Sequence, residues 1–181
     1  MKVLGICGSP RSGNCELLLR AALDAAEDAG AEPELVLLKD KDIKHCDGCV
    51  QCEEGGEHVG ECHFQDDMQP LYEKLDAAGA ILLASPNYYS NVSGLMKDFV
   101  DRTLVYYSPR GERLRGKRGG IIAVGGDNGK PAIEALKVFF SANNIKLVGA
   151  VDVSASHAGD AAKDSKALTA AAELGRKLAS D

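Results

Sequence analysis

The chain has 181 residues, of which 45% are hydrophobic and 27% charged, and its formal net charge is −6. This composition is typical of one globular domain and excludes a disordered or fibrous chain, while the acidic balance argues against nucleic-acid binding, which needs basic charge to displace counterions. No apolar run approaches the roughly 20 residues that span a bilayer and residues 1–7 are too short for a signal peptide, so we expect a cytoplasmic protein without membrane contact.

The first part of the chain predicts two strands around a helix. Residues 2–7 form a Val-, Leu- and Ile-containing run closed by Gly8, which indicates a strand buried on both faces. A Leu- and Ala-rich segment over residues 17–29, followed by Gly30, indicates a helix. Residues 34–38 indicate a second strand, and residues 39–65 then show neither helical nor strand period. Loops of this length in a compact domain are uncommon and usually functional.

The second part of the chain continues the alternation. Asp66 and Asp67 are predicted to open a helix to about residue 78, because acidic groups suit the positive end of the helix dipole. The remaining predicted elements, in chain order, are a strand (80–84), a loop (85–91), a helix from its cap Ser93 to about 106, a strand (119–124), a turn (125–129), a helix with Pro131 in its first turn, a strand (145–153) and a last helix from about Asp160.

Five strands that alternate with helices indicate an α/β fold around a parallel sheet. The chain shows no repeat, linker or low-complexity segment. We therefore predict a single domain over residues 1–181, with a cysteine-rich insertion at about 39–65.

A polar, glycine-containing loop follows the first strand and is suited to an oxyanion. A helix start offers unpaired backbone N–H groups and a positive dipole, and Ser and Asn side chains add neutral donors. Glycine lets the backbone approach a ligand closely, and arginine pairs with its charge. The predicted phosphate-loop residues, preceded by Gly8, are Ser9, Pro10, Arg11, Ser12, Gly13, Asn14 and Cys15.

Three other kinds of loop do not match this segment. The dinucleotide fingerprint G-x-G-x-x-G is absent, and no Gly-Lys-Ser/Thr follows for a nucleoside triphosphate. A tyrosine-phosphatase loop requires arginine six residues after cysteine, whereas Arg11 lies only four after Cys7. A terminal monophosphate remains, with FMN as the leading candidate. The alternative is a polar turn that caps the helix, although a cap needs one side chain and this loop supplies at least four.

A second loop follows the third strand and has the residue types that a flavin ring requires. Ser85, Pro86 and Asn87 precede Tyr88 and Tyr89, and together they offer backbone amides and aromatic faces. Two adjacent tyrosines are equally suited to a core or an interface. In a sheet of strand order 2-1-3-4-5, however, strands 1 and 3 are neighbours and ligands bind in the crevice beyond their carboxyl ends. The turn Gly125, Gly126 and Asp127 opens onto the same edge and is predicted to flank the ring.

The patterns GSPRxxxN and SPNYYxxVSGxMKxFxDR resemble those of the NAD(P)H-dependent FMN reductase-like flavoproteins, over about residues 1–130. The resemblance implies a flavodoxin-like three-layer fold with helices on both faces of the sheet. It implies phosphate contacts from Ser9, Arg11, Ser12, Asn14 and Cys15, and ring contacts from Pro86, Asn87, Tyr88 and Tyr89. Cys15 departs from the pattern, because the family commonly has Ser or Thr there and a thiol is a weaker donor.

The same resemblance implies a homodimer or homotetramer, because the family buries its flavin site at subunit contacts. Residues 92–107 have the apolar and aromatic content to pack in such a contact.

Four of the six cysteines lie between residues 46 and 62. In a reducing compartment such a group more often ligates metal or performs redox chemistry than forms disulfides. The spacing C-x2-C-x2-C followed by a fourth cysteine resembles that of the iron–sulfur flavoproteins, although the final gap of nine residues is longer than usual there. The resemblance implies a [4Fe–4S] cluster ligated by Cys46, Cys49, Cys52 and Cys62. A glycine-containing loop closes over that length at little entropic cost.

Two alternatives stay open for this segment. Zinc is one, since His45, His58 and His63 lie among the cysteines, and a metal-free segment is the other. Cys7, at a strand end, is expected to be an inert buried thiol.

A locally basic segment over residues 110–118 contrasts with the acidic chain. We interpret it as a solvated loop, with a docking patch for an acidic partner or for the phosphates of a second nucleotide as the alternative.

The expected function is electron transfer between a small donor, such as ferredoxin, and an acceptor through [4Fe–4S] and FMN. One alternative is an FMN or quinone reductase that takes hydride from NAD(P)H without a cluster, and another is a non-catalytic flavin or redox sensor. No acid–base or nucleophile constellation appears, so we predict an FMN-dependent oxidoreductase without a catalytic side chain.

Overall fold

The computed structural model describes residues 1–107 and 112–180. Its strands form one parallel sheet of order β2-β1-β3-β4-β5, so the predicted α/β fold and strand order are confirmed. The elements are β1 (Lys2–Cys7), α1 (Asn14–Asp28), β2 (Glu32–Leu37), α2 (Met68–Ala77), β3 (Ala80–Pro86), α3 (Gly94–Arg102), β4 (Arg118–Gly125), α4 (Lys130–Ala142), β5 (Lys146–Ser154) and α5 (Ser165–Ala179), with 3-10 turns at Leu38–Asp40, Thr103–Tyr106 and Asp160–Lys163.

Helices cover both faces of the sheet, as predicted. Successive side chains of a strand point to opposite faces, so in β1 Leu4 and Ile6 join one apolar layer while Val3 and Cys7 join the other. The first layer includes apolar side chains of α2, α3 and α4, and the second includes those of α1 and α5. None of the helices within the described residues has both the length and the apolar character to cross a membrane.

The early boundaries differ from the predicted ones for local reasons. Helix α1 begins at Asn14 rather than at residue 17, since the amide of Leu17 already donates to the Gly13 carbonyl at 2.9 Å. Strand β2 begins at Glu32 rather than at residue 34, because it is an edge strand and such a strand tolerates Pro33.

The helix that was predicted to run to residue 106 ends at Arg102 and continues as a 3-10 turn. The hydroxyl of Tyr72 donates to the Arg102 carbonyl at 2.8 Å, at the point where the α-helical bonding stops. Ser93 caps α3 as predicted, since its side chain accepts from the amide of Met96. The last helix also starts later than expected, at Ser165, because the carboxylate of Asp164 caps it by accepting from two backbone amides.

Candidate functional site

The two predicted cofactor loops leave the sheet at neighbouring strand ends. Cys7 of β1 lies opposite Ala84 of β3, and the amide of Gly8 donates to the Ala84 carbonyl at 2.8 Å. A cavity at this edge brings most of the predicted residues together, whereas Pro10, Ser85, Tyr89 and Asp127 are not among its lining residues. The lining residues are Ser9, Arg11, Ser12, Gly13, Asn14, Cys15, Pro86, Asn87, Tyr88, Val124, Gly125, Gly126, Ala155, Ser156, His157 and Ala158.

The phosphate loop holds its own shape and leaves donors available. Buried Ser9 donates its hydroxyl to the Arg11 carbonyl at 2.8 Å and accepts from the Arg11 amide at 3.2 Å. No side chain caps α1, whose N-cap is Gly13, so its first backbone N–H groups remain free for an anion. Within the described residues, the exposed Arg11 side chain forms no ion pair. These groups suit the phosphate of a bound nucleotide.

Asn14 connects the phosphate loop to a segment that the sequence did not indicate. Its Nδ2 donates to the His157 carbonyl at 2.8 Å, and its Oδ1 accepts from the amides of Gly159 at 2.9 Å and Ala161 at 3.2 Å. These bonds hold residues 155–158, after β5, against the cavity. In the sequence, the one indication that residues 155–158 border the cavity is the polar pair Ser156 and His157 directly after a strand.

Cys15 and Cys7 place their side chains in the apolar layer beneath α1. Burial raises the pKa of both thiols, and the neighbouring Cys7 adds to the increase at Cys15. A buried thiol with a raised pKa is a poor nucleophile. Cys15 therefore has its backbone amide, rather than its thiol, to offer the phosphate loop, and Cys7 is buried as predicted.

Gly8 and Ser93 join the two loops. The hydroxyl of Ser93 donates to the Gly8 carbonyl at 2.5 Å while it caps α3. A Cβ on Gly8 would lie only 2.6 Å from the Cβ of Met96 and 3.2 Å from its Cα. The structure thus requires glycine at position 8, because a side chain there would prevent α3 from packing against the phosphate loop.

The ring loop is braced from inside and turns sharply at its tip. Buried Ser85 donates to the Pro86 carbonyl at 2.9 Å and accepts from the Ser93 amide at 3.2 Å, so its role is support. Tyr88 and Asn91 exchange backbone hydrogen bonds of 2.8 and 3.0 Å around Tyr89 and Ser90, which adopt positive φ angles of 50° and 60°. The turn leaves the Tyr89 side chain fully exposed.

Asn87 carries a buried acceptor without a partner. Its backbone amide donates to the Val124 carbonyl at 2.7 Å. Its side-chain Nδ2 donates to the Asn128 carbonyl at 3.0 Å, which fixes the orientation of the side chain. Its Oδ1 is buried and has no hydrogen-bond partner within the described residues. Leaving such an acceptor unpaired costs about 1–3 kcal/mol, and a ring N–H of a flavin is the kind of donor that would satisfy it.

The four clustered cysteines line one small cavity together with Arg102, Leu104 and Val105. The long final gap folds back on itself, since the amide of Gly60 donates to the Cys52 carbonyl at 2.9 Å and thereby brings Cys62 towards the others. Burial, and then the charges of the other three cysteines, raise the pKa of the Cys52 thiol. The residues thus meet in one place, as a shared cluster requires.

The histidines separate into different environments. His63 lies with Asp47 and Cys49 in a group whose ligand atoms are all within 4.8 Å of one another, a spacing suited to a single ion. His45 instead pairs with Asp98 at 2.6 Å, and this hydrogen bond raises the pKa of the imidazole. Ligands of a cluster bind different irons and stand further apart than ligands of one ion. His63 therefore fits the zinc alternative, whereas His45 is bound to Asp98.

A buried ion pair holds the base of the cysteine segment. Arg102 donates to the carboxylate of Asp66 at 2.6 and 3.1 Å and to the Lys44 carbonyl at 2.9 Å, and Asp66 accepts from the Lys44 amide at 2.9 Å. Burial raises the pKa of Asp66, but these donors outweigh it and the net pKa is lowered. The phenyl ring of Phe64 lies 4.9 Å from the guanidinium.

A second contact closes the two ends of the segment directly. Asp67 accepts from the Asp42 amide at 2.8 Å through its carboxylate, and its own amide donates to the Asp42 carbonyl at 3.2 Å. The prediction that Asp66 and Asp67 open α2 is confirmed in part. Asp67 is the N-cap residue of that helix, and the Asp66 carboxylate accepts from the Met68 amide at 3.0 Å, while the Asp67 carboxylate binds the Asp42 amide instead of the helix.

An apolar groove of about 570 Å³ runs between α3 and α4. Val100 and Leu104 lie on one side and Ala135 and Val138 on the other, and Cys46 and Asn91 reach its margin. Val138 and Tyr107 each expose 67% of their surface. The groove therefore touches both the cysteine segment and the ring loop.

The basic segment is largely used within the fold. Arg113 pairs with Asp76, Arg115 pairs with Glu112, and Lys117 donates to the Asp76 carbonyl at 2.8 Å. Arg110 and Gly111 lie outside the described residues. The pairings favour a structural segment over a docking patch.

A family model described as NADPH-dependent FMN reductase matches residues 1–160. An iron–sulfur flavoprotein of Methanocaldococcus jannaschii is 37% identical over 191 aligned residues, covering 99% of this chain and 96% of that protein. One of Archaeoglobus fulgidus is 45% identical over 134 residues, covering 72% of this chain and 57% of that protein. The structure of an archaeal flavodoxin has a TM-score of 0.65 over 99% of this chain and 96% of its own, at 18% identity, a likeness of fold alone.

Proposed function

The chain belongs to the NADPH-dependent FMN reductase family, among its iron–sulfur flavoproteins, and we propose that it carries electrons between a [4Fe–4S] cluster at the four clustered cysteines and FMN in the cavity beyond β1 and β3. The observation that carries the proposal is the presence of two different donor sets, which line two separate cavities. One set combines neutral donors with the cationic Arg11 and suits a phosphate and a ring. The other set is made of thiols.

The cavity fits FMN at both ends. The uncapped N-terminus of α1 and Arg11 provide for the phosphate, and the unpaired Oδ1 of Asn87 provides for the ring. At Gly125, which lies beside Asn87, any Cβ would overlap the Asn128 carbonyl. Glycine at position 125 therefore lets the turn at 125–129 close tightly beside Asn87, whose Oδ1 stays unpaired.

The thiol set fits a cluster because all four cysteines line the same cavity and have free thiols. Cys46, Cys49, Cys52 and Cys62 would each hold one iron. The cluster exchanges one electron and FMN one or two, which allows single electrons from a small redox protein to be paired. Asn91 and Cys46 both line the apolar groove, so the groove adjoins the ring loop and the cysteine segment.

Metal and flavin analysis of the anaerobically purified chain tests the proposal. We expect about four irons, about four sulfides and one FMN per chain, with an absorption spectrum of both groups. Serine at any of the four clustered cysteines should remove most of the iron. The matched control is Cys7→Ala, since Cys7 is buried in the core and does not line the cysteine cavity. A colourless chain, or one that contains zinc alone, would contradict the cluster.

A second candidate is hydride transfer from NAD(P)H to bound FMN, which the name of the matching family favours. Anaerobic mixing separates the two candidates. Rapid flavin bleaching by NADPH would favour hydride transfer, whereas bleaching only by a one-electron donor would favour the cluster route. Cytoplasmic residence remains a prediction.

We further propose that the chain forms a homodimer or homotetramer. The FMN cavity of a single chain measures about 230 Å³, which is below the roughly 300–1,000 Å³ of ordinary ligand pockets. A flavin would therefore be covered only in part by one chain. The exposed Tyr89 beside the cavity and the apolar groove are the surfaces available to a second copy.

A further inference from the structure

Lys39 lies beside the phosphate loop, although in the sequence it begins the cysteine-rich insertion. It belongs to the 3-10 turn that follows β2, and the pairing of Leu37 with Cys7 brings that turn next to the end of β1. Its Nζ is 2.5 Å from the Ser12 Oγ and 3.0 Å from the Glu16 carboxylate. Only 18% of the Lys39 side chain is exposed.

The bond to Ser12 determines what the serine hydroxyl can do. An ammonium group only donates hydrogen bonds, so Ser12 Oγ must be the acceptor. The hydroxyl hydrogen is then left to point elsewhere, and within the described residues it donates to no side chain or backbone group. Ser12 lines the cavity, so its hydrogen is available to an acceptor that enters there.

The charges around Lys39 leave a positive excess. The Glu16 carboxylate also accepts from Arg20, at 2.8 and 3.1 Å, so one acid serves two cations. The hydrogen bonds of Arg20 and Lys39 lower the pKa of Glu16. This group therefore favours an anion near Ser12 and disfavours a neutral ligand.

We propose that Lys39 is a positioning residue that fixes the Ser12 hydroxyl as a donor to the flavin phosphate, and so selects FMN over riboflavin. The inference rests on the proposed FMN site and assigns the phosphate preference to a residue outside the phosphate loop. Lys39 itself is absent from the cavity lining and acts through Ser12.

Flavin affinity tests this role. The full-length chain is stripped of flavin and titrated with FMN and with riboflavin, for the wild type, Lys39→Met, Lys39→Arg, Ser12→Ala and the double variant. We expect Lys39→Met to weaken FMN binding about 10-fold, the effect of one charge-assisted hydrogen bond, and to change riboflavin binding less than about twofold. Lys39→Arg should restore most of the loss.

The double variant shows whether the effect passes through Ser12. Lys39→Met in the Ser12→Ala background should cause little further loss, because coupled residues are not additive. The control is Lys41→Met, an exposed lysine two residues along. Equal weakening of FMN and riboflavin, or full additivity, would overturn the role of Lys39 while leaving the FMN site intact. A wild-type chain that binds neither flavin would overturn the FMN site as well.

Discussion

At the scale of single residues, Asn87 gives the ring end of the cavity its chemical character. Its Oδ1 is buried and unpaired, while its Nδ2 is already bound to the Asn128 carbonyl. A ligand that donates to this oxygen removes the cost of leaving it unpaired. The side chain is thus prepared for a donor in a ring.

We expect Asn87→Ala to weaken the binding of FMN and riboflavin by the same factor, about 5- to 30-fold, because one buried hydrogen bond is lost and the phosphate end is untouched. Fluorescence titration with FMN and with riboflavin measures the two affinities. Asn91→Ala, in the same loop but outside the cavity lining, is the control. A loss confined to FMN would show that Asn87 acts on the phosphate end.

Asp66 and Arg102 are the strongest electrostatic contact of the cysteine segment, since both side chains are almost fully buried. Asp66→Asn leaves Arg102 without its counter-charge, and breaking such a pair costs about 3–5 kcal/mol. Urea unfolding of the flavin-free chain at neutral pH measures this. Asp101→Asn removes the exposed pair with Lys97 and should cost about 0–1 kcal/mol. Equal losses in the two variants would contradict the assigned role.

The same pair predicts how stability depends on pH. The pKa of Asp66 is lower in the folded chain than its ordinary value, so its stabilising contribution is complete above the unfolded pKa of about 4. The contribution is lost as the pH falls through the folded pKa. We therefore expect the free energy of unfolding to fall more steeply below pH 4 in the wild type than in Asp66→Asn. Parallel curves would exclude this contribution.

At the scale of elements, the contact between the phosphate loop and α3 requires that position 8 has no side chain. Gly8→Ala would bring its Cβ against Met96, whose Cβ and Cα belong to the helix and cannot swing away. Overpacking of this kind costs about 1–3 kcal/mol. Gly13→Ala in the same loop meets nothing within 4 Å and has an extended φ of −171°. Thermal unfolding of the flavin-free variants should therefore show a loss for position 8 and almost none for position 13.

The elements themselves were largely readable from the sequence. Apolar runs and glycine stops located all five strands, and the alternation of strands and helices indicated a parallel sheet. The strand order 2-1-3-4-5 came from the flavodoxin-like resemblance and is confirmed. Boundaries were missed where a single polar side chain determines the end of a helix. The end of α3 coincides with a hydroxyl from Tyr72, and the start of α5 depends on the cap Asp164 inside a run that otherwise favours helix.

The candidate site was readable only where one loop carries several suitable side chains. The residues at 9–15 and 86–88 form such loops, and all of them except Pro10 line the cavity. Lys39, Arg102 and the wall at residues 155–158 were not predicted, because each reaches its site through the packing of separate elements. Periodicity carries no information about contacts of that kind.

At the scale of the whole molecule, the apolar groove is a surface that nothing covers within the described residues. We expect Val138→Glu to shift the chain towards the monomer, since a charge would enter the groove between α3 and α4. Light scattering after gel filtration gives the mass. Lys130→Glu, exposed on the same helix but outside the groove, is the control. An unchanged mass in Val138→Glu would contradict the groove as the interface between copies of the chain.

Asp42 and Asp67 bind each other's backbone where the cysteine segment leaves the sheet and returns. Because its two ends meet, the segment is a side branch whose length does not set the position of β2 relative to α2. Extra residues such as the long gap before Cys62 therefore leave the spacing of β2 and α2 unchanged. The segment can vary in length between its ends as long as Lys44 and Asp66 remain to bind the buried Arg102.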